Sequence, residues 1–498
     1  MNRKSWTAIL LWATLLLAMA LPSMAADETP PKTPDASPGV RVLPGEADPS
    51  LFKADPEYAG DYDADAQLEI YGGKHMNKTS QAFTHGIRLY DRGAYTPRPI
   101  WLGATNPINY SFMAYGDVRF AGTSYDRGIA GANGKTRQEE IAARLNLDMD
   151  LALTATERFH AFVRPLDKNG SFTRYQFGAG AGDDKFVDQF DFNLNTLFFE
   201  GDIGQMIGGF RNKAATFDLP VVVGRVPLLT QNGIWLQDAF DGGAIGITAH
   251  NNPRFDISNY DITFFAGFND VTTAAVTTGK TKMFGLAGFA DMHRGYAEFG
   301  YGYVAADNHD QSYHNLTAAF TKRYFGLVAN TVRVIGNVGQ KGIAGQPKTA
   351  DGVLLLLENS FTRPNPVTVV PYVNFFAGFN HPQPLARAAD IGGVLVNTGI
   401  NFESDGMTNY PTLDPFAQDS FGGAVGWEYL FDLSRQIVLE AAVVERMNGS
   451  NAGAQYAIGA RYQHKLNNAW IVRFDAMRGW LAGKDDIYGA RIELRRKF

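Results

Sequence analysis

Towards its C-terminus the chain changes between apolar and polar at every residue. Tyr488, Ala490, Ile492, Leu494 and Phe498 share one parity, while Arg491, Glu493, Arg495 and Lys497 share the other; Arg496 is the one break in the apolar row. Side chains alternate across a strand, so this segment reads as a strand with one greasy and one charged surface. The same period runs through Trp470, Val472, Phe474 and Ala476 against Arg473 and Asp475. It returns in Tyr456, Ile458, Ala460 and Tyr462 against Gln455, Arg461, Gln463 and Lys465.

Connector lengths add a second, independent signal. Turn-like stretches at 466–468, 432–435, 363–366 and 251–254 alternate with longer ones at 479–486, 380–419, 336–350, 305–312, 270–282 and 226–240. Bacterial outer-membrane barrels alternate short periplasmic turns with long outer loops in this way. The connector at 204–216 is longer than that rule predicts. From Phe112 onward the segments number about 18, each near the ~9 to 11 residues of a tilted spanning strand. Residues 83–90 are a candidate extra strand. In hydrocarbon every backbone polar group must be satisfied internally, and no apolar run beyond the N-terminus is long enough for a spanning helix. The pattern therefore predicts an all-β fold, a transmembrane antiparallel β-barrel of about 18 strands. A soluble propeller or solenoid would carry a fixed sequence period, and none is present.

The N-terminus reads differently. Arg3 and Lys4 precede an apolar run from Ala8 to Leu21, and Ser23-Met24-Ala25 supplies the small residues of a cleavage site. Residues 1–25 are thus predicted to be a secretory signal peptide. Residues 26–66, rich in Pro and Asp, bury too little apolar surface to order themselves and read as a periplasmic tether. Residues 67–498 are assigned to the barrel, and the location expected is the outer membrane of a Gram-negative bacterium.

Composition narrows the chemistry. There is no cysteine, which excludes disulfide scaffolds, thiolate metal sites and cysteine nucleophiles. The formal charge of −6 argues against a nucleic-acid partner. Inside the predicted barrel the balance differs. Parity places Arg461, Lys465, Arg473, Arg491, Arg495 and Lys497 on the lumen face of the last three strands. It places Arg119, Arg144, Arg158, His160 and Arg164 there on the first three, with Asp117, Glu140, Asp148, Asp150, Asp475 and Glu493 as the acids. Ten Lys and Arg against six acids make this wall locally basic, which would attract anionic solutes. The alternative is that these arginines pair with the acids to hold a water-filled wall open. Residues 226–240 carry Leu229, Trp235 and Asp238 and are unusually apolar for a loop, which makes them a candidate constriction folded into the lumen. For 380–419, the longest connector, lid, plug and surface loop all stay open.

Two stretches carry a resemblance. Val221-Val222-Val223-Gly224-Arg225, followed about 14 residues later by Phe240-Asp241-Gly242-Gly243, looks like the alginate-export family of outer-membrane porins. Residues 145–153 followed by Thr156 to Phe162 are similar to that family's early hairpin. The resemblance implies an 18-stranded barrel with an arginine-rich lumen for an anionic polymer or small solute, and makes Arg225 a lumen residue. The terminal pattern of Phe498, Leu494 and Ile492 resembles the signal read by the barrel assembly machinery.

No Ser-His or Asp-His arrangement rises above chance among the nine His, so no catalytic site is predicted. Asp307, His309, Asp310 and His314 lack metal-ligand spacing, and Gly178, Gly180 and Gly182 lack the strand-to-helix context of a phosphate cradle. No cofactor is predicted. Three functions remain, in this order: a porin, a barrel sheathing a periplasmic partner such as a cytochrome, and an outer-membrane hydrolase.

Overall fold

The structure, a computed structural model, describes the backbone of Phe83–Gly86 and residues 111–498. Breaks fall at 129–135, 155, 179–183, 212, 214, 274, 277–278, 343–346, 363–368, 389–390, 404–406, 433, 448–452 and 468. The predicted leader and tether lie outside the described residues.

Eighteen staves form the wall. They are β1 (Ser111–Asp126), β2 (Arg137–Ala152), β3 (Arg158–Val163), β4 (Leu194–Asp202), β5 (Pro220–Thr230) and β6 (Leu236–Asn252); β7 (Ile257–Asn269), β8 (Thr281–Met292), β9 (Gly295–Ala306), β10 (Tyr313–Tyr324), β11 (Val328–Val338) and β12 (Val353–Phe361); then β13 (Val369–Phe379), β14 (Ser420–Asp432), β15 (Arg435–Arg446), β16 (Gln455–Lys465), β17 (Trp470–Leu481) and β18 (Ile487–Lys497). Each pairs antiparallel with its neighbours, and β1 pairs with β18 from Asp117 opposite Lys497 to Asp126 opposite Tyr488, which closes the barrel. Phe498 completes the seam, its amide and carbonyl both bonded to Gly116. Phe83–Gly86 pairs with Ser111 to Ala114 of β1 just beyond the end of β18, so it extends the seam and is not a stave.

The two faces follow the parity of the sequence. On β18, Tyr488 and Ile492 are exposed while Arg491 and Glu493 are buried. On β11, Val332 and Val334 are exposed and Arg333 and Ile335 are buried. The exterior is thus apolar, as a sheet solvated by hydrocarbon requires, while inward positions carry both charged and apolar side chains. Short turns collect at the end where β1 begins and β18 finishes. Between β8 and β9, His293 and Arg294 both take positive φ (52° and 59°), the primed turn whose twist matches that of the flanking strands. The long connector on this side is explained by α1 (Ile203–Arg211): Asp202 accepts from the Gln205 amide at its start and from the Leu219 amide, both at 2.8 Å.

One connector read from the sequence is corrected. Residues 226–240 are not a loop: β5 continues to Thr230 and β6 starts at Leu236, with Val226 opposite Phe240 and Leu228 opposite Asp238. Val226, Leu236 and Phe240 are buried, and Leu228 packs against the cluster holding the last two, so these are strand residues facing a core; Leu229 is a strand residue that stays exposed, and Ile234 and Trp235 sit in the connection. The connection is Gln231 to Trp235.

A barrel with a filled and divided lumen

The tip of the β5–β6 hairpin leaves the wall and lies against the inner face of β9 to β11. Trp235 is fully buried and donates its ring N–H to Asn315 at 2.8 Å. It fits there because Gly300 of β9 has no side chain; a Cβ would come within 2.5 Å of the Trp235 ring. Gln231 accepts from the Thr317 hydroxyl at 2.8 Å and from Arg333 at 2.5 Å. Arg333 is only 2% exposed and lies 3.5 Å from Glu298 of β9, two staves away, and 3.6 Å from Glu358 of the adjoining β12.

The long connector between β13 and β14 also turns inward. Leu385, Val394, Leu395, Phe402 and Leu413 are buried with the hairpin residues Ile234 and Leu236 in one apolar cluster, and Ala386 pairs in parallel with Leu236. Arg387 joins the two elements: its guanidinium donates to the carbonyls of Gly233, Ile234 and Gly393. Among the described residues no carboxylate pairs with it, and burial pulls it down to about 10, still cationic at neutral pH. Glu440 of β15 holds the other end. It accepts from the Ile400 amide, the Asn401 amide and the Asn401 side chain, each at 2.8 Å, and from the Tyr372 hydroxyl at 2.5 Å.

Opposite this packed half stands a charged wall. Arg461 meets Asp475 at 2.7 Å and Glu403 of the inward loop at 2.5 Å. Arg473 meets Asp475 at 2.8 Å, and Arg491 meets Asp475 at 2.9 Å and also Glu493. The ladder continues across the seam: Arg495 and Arg119 share Asp117, at 2.7 and 2.6 Å. Arg144 donates to Asn146 and lies 5.2 Å from the ring of Phe172. Register makes Arg144 the direct partner of Arg119, and Arg119 that of Arg495.

Between the packed half and this wall is a cavity of about 1110 Å³. Arg119, Arg144, Arg164, Arg225, Lys280, Arg473 and Arg491 line it, together with Asp167, Asp191, Asp238, Asp270, Glu403 and Glu493. Five of the ten cations counted on the staves line the cavity, joined by Arg225 and Lys280, but of the six counted acids only Glu493 does, and Asp167, Asp191, Asp238, Asp270 and Glu403 bring the balance to seven against six. Of the other residues singled out in the sequence, Arg164 pairs with Asp167 at 2.9 Å, and Arg225 pairs with Asp270 and donates to the Leu194 carbonyl. Arg158 pairs with Glu200 at the short-turn end of β3, and Lys465 closes β16 at the same end. Leu229 faces the cavity, whereas Trp235 is packed away from it; Asp238 accepts from the Thr272 amide at 2.7 Å. Ile492 and Leu494 lie on the outward face of β18. The polar loop residues do not converge: Asp307 accepts from the Lys280 amide, Asp310 pairs with Lys341, and His314 bonds to Tyr301. Arg333, Arg387, Glu403 and Glu440 were missed; all four depend on contacts between elements distant in the chain.

No protein-family model and no curated protein matches the sequence. Among solved structures, the fold is similar to OccK7 (OpdD) of Pseudomonas aeruginosa, at 11% identity and a TM-score of 0.49 over 78% of this chain and 98% of that one. It is likewise similar to OccK1 (OpdK), at 11% and 0.49 over 77% and 98%. OccK5 (OpdH) from the same organism follows at 10% and 0.47, again over 77% and 98%.

Proposed function

We propose that the chain is an outer-membrane porin for small anionic solutes. The observation that carries this reading is the row Arg144, Arg119 and Arg495, three cations directly opposite one another on β2, β1 and β18. Like charges in that relation destabilise a sheet, so packing alone disfavours the row, while an anion in the cavity would stabilise it. Asp117 pairs with both Arg119 and Arg495, and Arg119 lines the cavity.

The size of the space favours a small solute. A cavity of about 1110 Å³ is close to the upper end of ordinary small-molecule sites, roughly 300 to 1,000 Å³. A polymer such as alginate, or a folded haem protein sheathed by the barrel, would have to displace the inward hairpin and loop. The same reading assigns the apolar exterior to outer-membrane lipid and Phe498, Leu494 and Ile492 to recognition by the barrel assembly machinery.

Reversal potentials in planar bilayers under a potassium chloride gradient test the proposal. Chloride preference that falls when Arg119 is replaced by Gln is the expected result; cation preference in the unaltered protein would overturn it.

A further inference from the structure

The wall is uneven in height. β8 and β9 pair along twelve positions, from Thr281 to Met292, but β4 and β5 pair only from Pro220 to Arg225. Six residues at the usual tilt rise about 15 Å along the barrel axis, against an apolar band of about 25 Å. Beyond Arg225, whose side chain donates to the Leu194 carbonyl across the lower lip of the opening, β5 has β6 as its one ladder partner among the described residues, and β6 pairs with β7 only from Asp241 downward. Both strands have left the wall there. Pro227, which has no N–H to satisfy, stands at the freed edge.

The departure brings both faces of the hairpin to the cavity. Pro227, Leu229, Gln237 and Ala239 continue the parity of Val223 and Ile247, which are exposed on the exterior, and line the cavity together with Leu228 and Asp238 of the other parity. The same cavity touches Arg119 on the far wall and Leu194 at the top of β4. It therefore reaches from the charged interior to the gap in the sheet. Just before β4 in the chain, after the short strand Lys185–Val187 that pairs with Arg174–Phe177, Phe190 and Phe192 are exposed and packed edge to face with centroids 4.5 Å apart; Phe192 is 70% exposed. Leu229, 62% exposed, borders the gap on the β5 side.

The geometry points to a sideways entrance: a single-chain amphiphile with an anionic headgroup enters from the outer leaflet between Leu194 and Leu229, its headgroup reaching Arg119 and its tail lying in the gap. Charge and polarity are arranged for such a molecule, with Arg119 offering two terminal guanidinium nitrogens that have no hydrogen-bond partner among the described residues. The headgroup assignment rests on the anionic reading of the lumen; the entrance rests on the missing ladder alone.

Because the chain has no cysteine, a fluorophore can be placed on Leu229→Cys, and separately on Leu194→Cys, in the full-length protein in phosphatidylcholine vesicles. Quenching of both labels by nitroxides on lipid acyl chains as well as by aqueous iodide is expected. Quenching by iodide alone would overturn the entrance. Decyl sulfate and decanoate, added below their micellar concentrations, should then shift the label saturably and at least tenfold more tightly than decyltrimethylammonium or butyrate. Arg119→Gln should reduce the preference over the cation to less than threefold. An equal response to anionic and cationic amphiphiles with lipid quenching intact would overturn the headgroup assignment and, with it, the anionic lumen, leaving the entrance standing.

Discussion

The two halves of the lumen are built from the same alternating strands and have become different materials. Behind the hairpin and the long connector, the inner faces of β9 to β13 are a dry core: Trp235, Leu385 and Phe402 are buried against them, and Gly300 leaves the space for a Trp ring. Across the cavity, the inner faces of β1, β2, β17 and β18 remain polar, held by Asp475, Asp117 and Glu493 between arginines. Alternation says that a residue points inward. Whether it meets another chain segment or the open cavity depends on which loops fold in: the apolar part of the long connector packs on the first half, while its later residues Asn409 and Tyr410 only touch the second, bonding to Glu140 and Gly489.

The difference can be broken from the dry side first. Arg387→Ala removes three charge-assisted hydrogen bonds, taking from the carbonyls of Gly233 and Ile234 their guanidinium donor in the core and leaving Gly393 only the Val396 amide. At roughly 1.5 kcal/mol or more for each such bond, the loss of docking should be about 5 kcal/mol. Single-channel conductance should rise at least twofold with frequent flicker, and amide exchange should lose protection at 391–402; unchanged conductance would mean that the loop stays seated without the arginine.

Glu440→Gln should act in the same direction and less strongly, at about 3 kcal/mol, since an amide cannot accept from all four donors now around the carboxylate. Its signature is lost exchange protection at Ile400 and Asn401 with the hairpin undisturbed. Gly300→Val places a side chain in the Trp235 ring, and overpacking of this kind costs about 2 kcal/mol. Tryptophan emission should move to the red as Trp235 is displaced, while conductance changes less than in the arginine variant. The smallest structural effect belongs to the charged wall. Arg119→Gln relieves repulsion within the arginine row, so heat stability should hold or rise slightly, while the chloride-to-potassium permeability ratio should fall by about half. A loss of stability there would make the row a structural feature.

Much of the wall was legible in the chain. The period of two from Tyr456 to Phe498 gave the strands, their outward faces and the closing seam, because burial in hydrocarbon forces each lipid-facing position to be apolar. The 226–240 stretch misled for a specific reason. Its apolar residues belong to strands whose lipid-facing side turns towards the cavity, so neither the loop rule nor the strand rule described it. Arg387 and Glu440 could not be read in advance, since Arg387 meets carbonyls of a hairpin more than 150 positions earlier, and nothing in local sequence marks such a partner.

What the sequence alone determined is the barrel: a strand that must expose one side to lipid and the other to water has only one repeating solution, and the alternating staves state it locally. What only the tertiary structure decided is the interior. Lumen-facing positions accept either an inward-folded segment or open space, and that choice is settled by long-range packing and buried hydrogen bonds between parts of the chain that carry no shared pattern.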